Sequence, residues 1–147
     1  MVDSRWRVQC LGAVLSVLAV AGCASTPPRN DTLYRELGQR SGIEALVEEL
    51  LVRILEDERI TAGFAEVDLV NLNDRLVEQI CVELGGPCTY TGRSMAESHA
   101  GLGITEADFN ALVEDLQDAM DARGIPFRAQ NQLLRRLAPM HRDIVSP

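Results

Sequence analysis

LGGPCTYTGRSMAESHAGLGIT, residues 84–105, is the stretch that decides the fold, and it contains His99, one of the chain's two histidines. Ser94 and Glu97 have the spacing of a capping box, which predicts that a helix begins there. Glycines soon after the histidine end this helix within about two turns. Because residues four apart share a helical face, Met95 and His99 are predicted to point the same way.

The segments before this stretch have the apolar period of helices, and none alternates with the period of a strand. A first long helix is predicted to start at a capping box formed by Ser41 and Glu44. A second is predicted to run from Asp68 to Leu84, where a glycine pair stops it. A short helix is expected around residues 33–37.

Two more helices are predicted after the stretch. Thr105 caps the first, Gly124 ends it, and Pro126 begins the last helix. The sequence therefore predicts one all-α domain. Its apolar stripes are Ile43, Leu46, Val47, Leu50, Leu51, Ile54 and Leu55; Leu69, Leu72, Leu76 and Ile80; Phe109, Leu112, Val113, Leu116 and Met120; and Phe127, Leu133, Leu134 and Leu137.

The composition limits both the size and the chemistry of the domain. With 147 residues, 46% of them hydrophobic, the chain can bury one core of ordinary size. All 14 basic residues are arginine, so chemistry that needs a lysine, such as P-loop phosphate binding or Schiff-base catalysis, is excluded. The net charge of −8 repels phosphate backbones and argues against nucleic-acid binding.

The first 22 residues are predicted to be a targeting signal rather than part of the fold. Arg5 and Arg7 precede an apolar run, residues 11–22, that is too short to span a bilayer core of about 30 Å. The run ends in Val20-Ala21-Gly22-Cys23, which resembles the bacterial lipobox. This resemblance implies that Cys23 is lipidated and begins the mature protein; the alternative is an ordinary secretory signal cleaved after a small residue.

The predicted organisation has three parts: a lipoprotein signal peptide at 1–22, a polar tether at 23–31 with lipidated Cys23, and a domain at 32–147. We expect the protein to be lipid-anchored in a bacterial cell envelope, on the periplasmic face or the cell surface. Its lipid chains would suffice as a membrane anchor.

Cys81 and Cys88 are the cysteines that remain inside the predicted domain. A turn through the glycines and proline between them would bring the two thiols together as a disulfide, in keeping with an oxidising compartment. The other reading is a buried Cys81 and an exposed, unpaired Cys88. The sequence favours neither.

A single histidine on an apolar helix face is most often a core residue whose ring nitrogens are satisfied by the backbone. Zinc catalysis needs about three protein ligands, and the chain has no cluster with ligand spacing. Haem iron needs only one neutral imidazole, with apolar walls that bury the macrocycle. Under that reading, the glycines that follow His99 let the porphyrin approach the backbone.

The surrounding residues resemble a group I truncated haemoglobin, a short globin built as two helices over two. The resemblance covers nearly the whole predicted domain and is most specific in residues 84–105. It is carried by LYRELG (33–38), GF (63–64), LGGP (84–87), YTGR (90–93), Met95, HAGLGIT (99–105), Phe109, LAP (137–139) and RDIV (142–145).

The resemblance implies haem b as cofactor, with His99 as the proximal iron ligand. Tyr90 and Arg93 match positions that face the haem propionates, with Arg75 as a second candidate from the opposite wall. His141 matches no ligand position and is expected near the surface. The wall residues implied by the resemblance are Phe64, Leu69, Leu72, Leu76, Met95, Ile104, Phe109 and Leu112.

One departure from the family's pattern concerns the distal pocket. Members that hold dioxygen tightly have a tyrosine in the first long helix and a polar residue in the second, whereas this chain has Leu51 and Leu76. Leu72 adds a third apolar side chain, and only Asn71 and Asn73 are expected close enough to intrude. A hydrogen-bond donor stabilises bound dioxygen by roughly 1–3 kcal/mol and bound carbon monoxide by less. Because the expected pocket lacks such a donor, fast dioxygen release is expected.

Two functions follow from these residues. The first is a membrane-tethered haem protein that binds dioxygen, nitric oxide or carbon monoxide, with nitric oxide or peroxide chemistry as an extension and with no reductase identified. The second, suggested by the missing distal polar groups, is a haem-free lipoprotein of globin shape that acts as an interaction or structural module.

Overall fold

A computed structural model describes residues 30–145; the predicted leader, the lipidation site at Cys23 and most of the tether lie outside the described residues. Residues 30–145 contain no β-strand, so the all-α prediction is confirmed. The elements are α1 (Thr32–Glu36), α2 (Gln39–Glu56), a 3-10 helix (Thr61–Phe64), α3 (Leu69–Glu83), α4 (Met95–His99), α5 (Glu106–Ala122), α6 (Phe127–Leu137), a second 3-10 helix (Ala138–Met140) and α7 (His141–Ile144).

Helix α2 is the centre of the packing. It contacts α1, the first 3-10 helix, α3 and α5, while α6 packs against α1 and α3, and α4 packs against α7. In the part of the chain that is described, no helix combines the length and apolar content needed to cross a membrane. The largest fully buried side chains are Ile43, Leu46, Val47, Ile54, Val77, Cys81, Leu84, Met120 and Leu133.

The start of α2 differs from the prediction. Ser41 and Glu44 do not form a capping box: the helix begins earlier, after Gly38 in the left-handed region, φ 84°, with no side-chain cap. The Ser41 hydroxyl instead donates to the carbonyl oxygen of Gly38 at 3.3 Å. The physical reason is close packing of two helices, since a Cβ at Gly42 would collide with the carbonyl of Leu37.

The second long helix and the short histidine helix start as predicted. Asp68 caps α3 by accepting hydrogen bonds from two backbone N–H groups of the first turn. Leu84 follows the last residue of α3, and the chain then turns at a glycine. Ser94 and Glu97 form both hydrogen bonds of a capping box at α4.

The last two long helices also begin at the predicted residues. Thr105 forms a capping box with Asp108 at the start of α5. Gly124, with φ 65°, follows the end of α5, and Pro126 is the N-cap of α6. Local capping chemistry thus sets these boundaries.

The apolar stripes are only partly buried. On α2, Leu55 is 44% exposed, contrary to its predicted place in the core stripe. On α3, the buried side chains are Val77, Ile80 and Cys81, whereas the predicted stripe residues nearer its start are half-buried. The reason is that α3 is covered by other helices mainly along its C-terminal half.

Cys81 and Cys88 form a disulfide in the structure, which decides between the two readings left open by the sequence. Gly86 lies inside the loop that the disulfide closes. A Cβ there would lie 2.6 Å from both the sulfur of Cys81 and the ring of Tyr34. The disulfide is therefore packed directly against α1.

Candidate functional site

His99 is the last residue of α4 and is half-buried. Its Nδ1 lies 2.7 Å from the backbone carbonyl oxygen of Met95. A carbonyl can only accept, so Nδ1 donates its proton to Met95, and of the two neutral tautomers this contact selects the one whose lone pair is on Nε2. Among the described residues, Nε2 has no hydrogen-bond partner. The local helix thus orients the imidazole with Nε2 as the nitrogen available to bind a metal.

The apolar residues that the resemblance assigns to the haem walls and the distal pocket are half-buried, whereas the side chains of the main core are buried. They come from α2, the first 3-10 helix, α3, α4, α5 and the segment before α5. Four of them, Leu51, Phe64, Leu76 and Leu112, pack against the main core. The complete half-buried set is Leu51, Phe64, Leu69, Leu72, Leu76, Met95, Ile104, Phe109 and Leu112.

The side-chain amide of Gln79, a residue of α3, contacts the sulfur of Met95. The Nε2 of Gln79 lies 3.5 Å from the sulfur of Met95 and 3.1 Å from the sulfur of Met140. Thioether sulfur is a weak acceptor, so these contacts position the side chains more than they stabilise them. Gln79 thereby links α3, the histidine helix and the second 3-10 helix.

His141 is near the surface, as expected, but it also packs on a predicted wall residue. Its ring meets the ring of Phe109 edge to face, with 4.6 Å between centroids. Its Nε2 lies 2.8 Å from a carboxylate oxygen of Glu106. Since α4 also packs against α7, the helix that begins at His141, these contacts support the proximal side of the site.

Tyr90 closes the turn that leads into α4. Its hydroxyl donates to the carbonyl oxygen of Arg93 at 2.8 Å, and its ring lies so close to Gly92 that a Cβ there would collide with it. The structure thus gives Tyr90 a role in shaping the loop. Its predicted contact with a propionate stays a prediction.

Glu78 joins α3 to the same loop. Its Oε2 accepts the backbone N–H of Thr91 at 2.9 Å and pairs with Arg75 at 2.8 Å. The Thr91 hydrogen bonds and the nearby Arg75 guanidinium hold the pKa of the Glu78 carboxyl below its ordinary value. Arg75 is therefore linked through Glu78 to the loop that carries Arg93, and its predicted position on the opposite haem wall stays a prediction.

The two guanidinium groups differ in exposure. Arg93 is exposed and forms no ion pair with any residue in 30–145. The Nε of Arg75 is buried and has no hydrogen-bond partner within the same range. Both retain donors that a carboxylate could use.

On the predicted distal side, Asn71 is exposed and Asn73 is half-buried. The side-chain oxygen of Asn73 is buried and has no partner among the described atoms. With Arg75 Nε, the Asn73 oxygen is one of two buried polar atoms of α3 that have no partner among the described atoms.

Comparison with known proteins decides the family. The sequence model of the family described as bacterial-like globin matches residues 32–146. The group 1 truncated haemoglobin GlbN of Mycolicibacterium paratuberculosis is 33% identical over 115 residues, which cover 78% of this chain and 85% of that protein. The chain belongs to the group 1 truncated haemoglobins.

Other relatives and solved structures agree with this membership. GlbN of Nostoc commune is 33% identical over 115 residues, covering 78% of this chain and 98% of the relative. The crystal structure of a Tetrahymena pyriformis truncated haemoglobin variant, in its Fe(III) form, superposes with a TM-score of 0.76 at 25% identity, covering 79% of this chain and 99% of that one. The two-over-two globin fold is thereby confirmed.

A truncated haemoglobin is a haem-binding globin, and the residues of this chain fit that cofactor. His99 offers a single neutral nitrogen of the kind that haem iron binds. The half-buried apolar side chains offer walls for a porphyrin, and Arg75 and Arg93 offer donors for its carboxylates. No group of three or more His, Cys, Asp or Glu side chains in residues 30–145 is arranged to hold a metal ion directly.

The glycines after His99 have a conformational explanation. Gly101 and Gly103 have φ values of 75° and 65°, which other residues rarely adopt. A Cβ at either position would meet no atom within 4 Å. Backbone geometry therefore favours glycine here, and the predicted approach of a porphyrin stays a prediction.

Sequence reasoning missed Gln79, Glu78 and the contact between His141 and Phe109. Each acts across a long stretch of chain, from 13 residues for Glu78 and Thr91 to 61 for Gln79 and Met140. No local motif marks such partners. In the sequence, the amide of Gln79 and the carboxylate of Glu78 cannot be told from polar residues on a solvent-exposed helix face.

Proposed function

We propose that this truncated haemoglobin is a haem b protein, tethered to a bacterial envelope membrane through lipid on Cys23, that reversibly binds diatomic gases. The observation that carries the haem proposal is the 2.7 Å contact between His99 Nδ1 and the Met95 carbonyl. It fixes the tautomer and the ring orientation, as hydrogen bonds to metal-binding histidines generally do.

The proposed roles of the surrounding residues follow from their contacts. When bound, iron protoporphyrin IX supplies a coordination position for dioxygen, nitric oxide or carbon monoxide. His99 holds the iron, Phe64 and Met95 contact the ring, and Arg75 and Arg93 orient the propionates. Half-buried apolar side chains exclude water from the ring.

The proposed distal pocket of Leu51, Leu72 and Leu76 offers no hydrogen-bond donor, which favours carbon monoxide over dioxygen. Nitric oxide or peroxide turnover is an extension of the proposal that needs a reductase of unknown identity.

Hemin titration tests the proposal. The protein is expected to develop a Soret band that His99→Ala abolishes and His141→Ala retains. His141 is the matched control because it is the other histidine and also lies against the proposed site. A protein that carries no haem absorbance after gel filtration has removed unbound hemin would overturn haem binding and favour the haem-free interaction module.

A separate experiment tests the tether. Metabolic labelling with a radioactive fatty acid in a bacterial host should label the protein and leave Cys23→Ser unlabelled. A secreted, unlabelled wild-type chain would instead identify an ordinary secretory signal.

A further inference from the structure

A segment of 21 residues near the C-terminus, 122–142, has a charge opposite to that of the whole protein. Residues 122–142 contain five arginines and no aspartate or glutamate, in a protein of net charge −8. Such a concentration of one sign creates a local positive potential that the net charge conceals.

Three of the five arginines of this segment lack the ion pairs found elsewhere, whereas Arg142 lies 3.8 Å from a carboxylate oxygen of Asp143. Residues 35, 40, 53, 59 and 75 are arginines that each pair with a carboxylate. Arg123, Arg128 and Arg135 pair with no carboxylate of residues 30–145. Their charges therefore remain available to a partner.

Helix α6 presents two of these arginines together with an exposed aromatic side chain. Its inner side buries Ala129 and Leu133, while Phe127 at its start is 76% exposed. Arg128 and Arg135 are exposed and line one shallow depression, with two amide side chains between them. Phe127, Arg128 and Arg135 together are called the α6 face here.

The chain enters the domain on the side where α6 lies. The backbone of Asn30 is packed against Gly85, where a Cβ would collide with its carbonyl. Close by, Arg136 of α6 donates to the backbone carbonyl of Glu83, and α1 packs on α6. The covalent link from Cys23 to Asn30 spans at most about 25 Å when fully extended.

We propose that the α6 face docks on an anionic phospholipid surface. The proposal rests on the lipid anchor proposed above, which would hold α6 within reach of a bilayer. Arginine beside an exposed aromatic ring is typical of surfaces that lie at the headgroup level, where the ring inserts and the guanidinium groups meet phosphates. An acidic protein partner would use the charges but has no need of the exposed Phe127.

The test uses residues 24–147, reconstituted with hemin, so that neither the leader nor Cys23 contributes. This piece keeps the segment that corresponds to 98% of the Nostoc commune relative. It should co-sediment with phosphatidylcholine vesicles that contain phosphatidylglycerol, and not with phosphatidylcholine alone. Raising the salt from about 0.1 M to about 0.5 M should weaken the binding.

The variant Arg128→Glu/Arg135→Glu should bind at least about 25-fold more weakly, since each arginine at an anionic surface contributes about fivefold to partitioning. Phe127→Ser should also weaken binding. The matched control, Arg35→Glu/Arg40→Glu, makes the same change of net charge on exposed residues of α1 and α2 and should leave binding nearly unchanged.

Equal losses in both double variants, or no binding to the anionic vesicles, would overturn the proposal. Tighter binding to soluble poly-glutamate than to the vesicles would also overturn it and would assign the face to an acidic protein. None of these results bears on lipidation of Cys23, which is absent from the tested piece, or on haem binding, which the Soret band reports independently.

Discussion

The Nδ1 atom of His99 lies 2.7 Å from the carbonyl oxygen of Met95, four residues earlier on the same helix. Helix α4 has only five residues, and its capping box begins it directly before Met95. A residue that contributes to the proposed haem wall therefore also fixes the tautomer of the proposed iron ligand. Orientation and ligation depend on the same turn of helix.

This relationship predicts rescue by free imidazole. His99→Gly should bind hemin weakly, and added imidazole should restore a Soret band because it can occupy the space left by the missing ring. His141→Gly should show the full band without imidazole. An imidazole-independent band in His99→Gly would show that another group binds the iron.

The apolar distal pocket predicts that one new hydroxyl will slow dioxygen release. Leu51→Tyr should raise dioxygen affinity by about one to two decades, because a donor there stabilises dioxygen by roughly 1–3 kcal/mol. Leu55→Tyr is the control, one turn away on α2 and 44% exposed. Flash photolysis measures both rates, and equal effects in the two variants would contradict the assignment of Leu51.

Asp115 predicts a pH-dependent stability. It is only 7% exposed, and one of its oxygens has no partner among the described residues. Burial, together with the nearby Asp57 carboxylate, raises the pKa of the Asp115 carboxyl above its ordinary value. The folded state thus binds this proton more tightly than the unfolded state, and stability is lost as pH rises through the folded pKa.

Asp115→Asn removes the ionisable carboxyl and with it the loss of stability at higher pH. The variant should therefore be more stable than wild type by about 1 kcal/mol at pH 7. The gain should shrink towards pH 4, because the carboxyl is then increasingly protonated in both states. Urea unfolding at both pH values measures the difference, with the exposed Asp74→Asn as control. A variant that is less stable than wild type at pH 7 would contradict the predicted sign.

The packing around the disulfide predicts a contrast between two glycines. Gly86→Ala should cost about 1–3 kcal/mol, because its Cβ would press on Cys81 and Tyr34. Gly63→Ala is the control: no atom lies within 4 Å of its Cβ, so a change below roughly 0.5 kcal/mol is expected. Thermal unfolding of the oxidised proteins distinguishes the two, and equal effects would argue against the close packing at Gly86.

Much of the fold was determined by the sequence itself. The caps at Asp68, Ser94 and Thr105 were predicted correctly because a cap is an interaction within three residues. The all-α class was indicated by local periodicity, whereas the family and the candidate ligand His99 were implied by the resemblance that residues 84–105 carry.

Tertiary structure decided the rest. The start of α2 moved to Gln39 because Gly42 packs on Leu37, an approach that the pattern at Ser41 does not reveal. Leu55 is exposed although it continues the apolar stripe. The contacts of Gln79 and His141 required elements distant in sequence to meet, and the structure decided between the two readings of Cys81 and Cys88. Periodicity and capping are set by neighbouring residues, whereas burial and side-chain partners depend on which helices pack together.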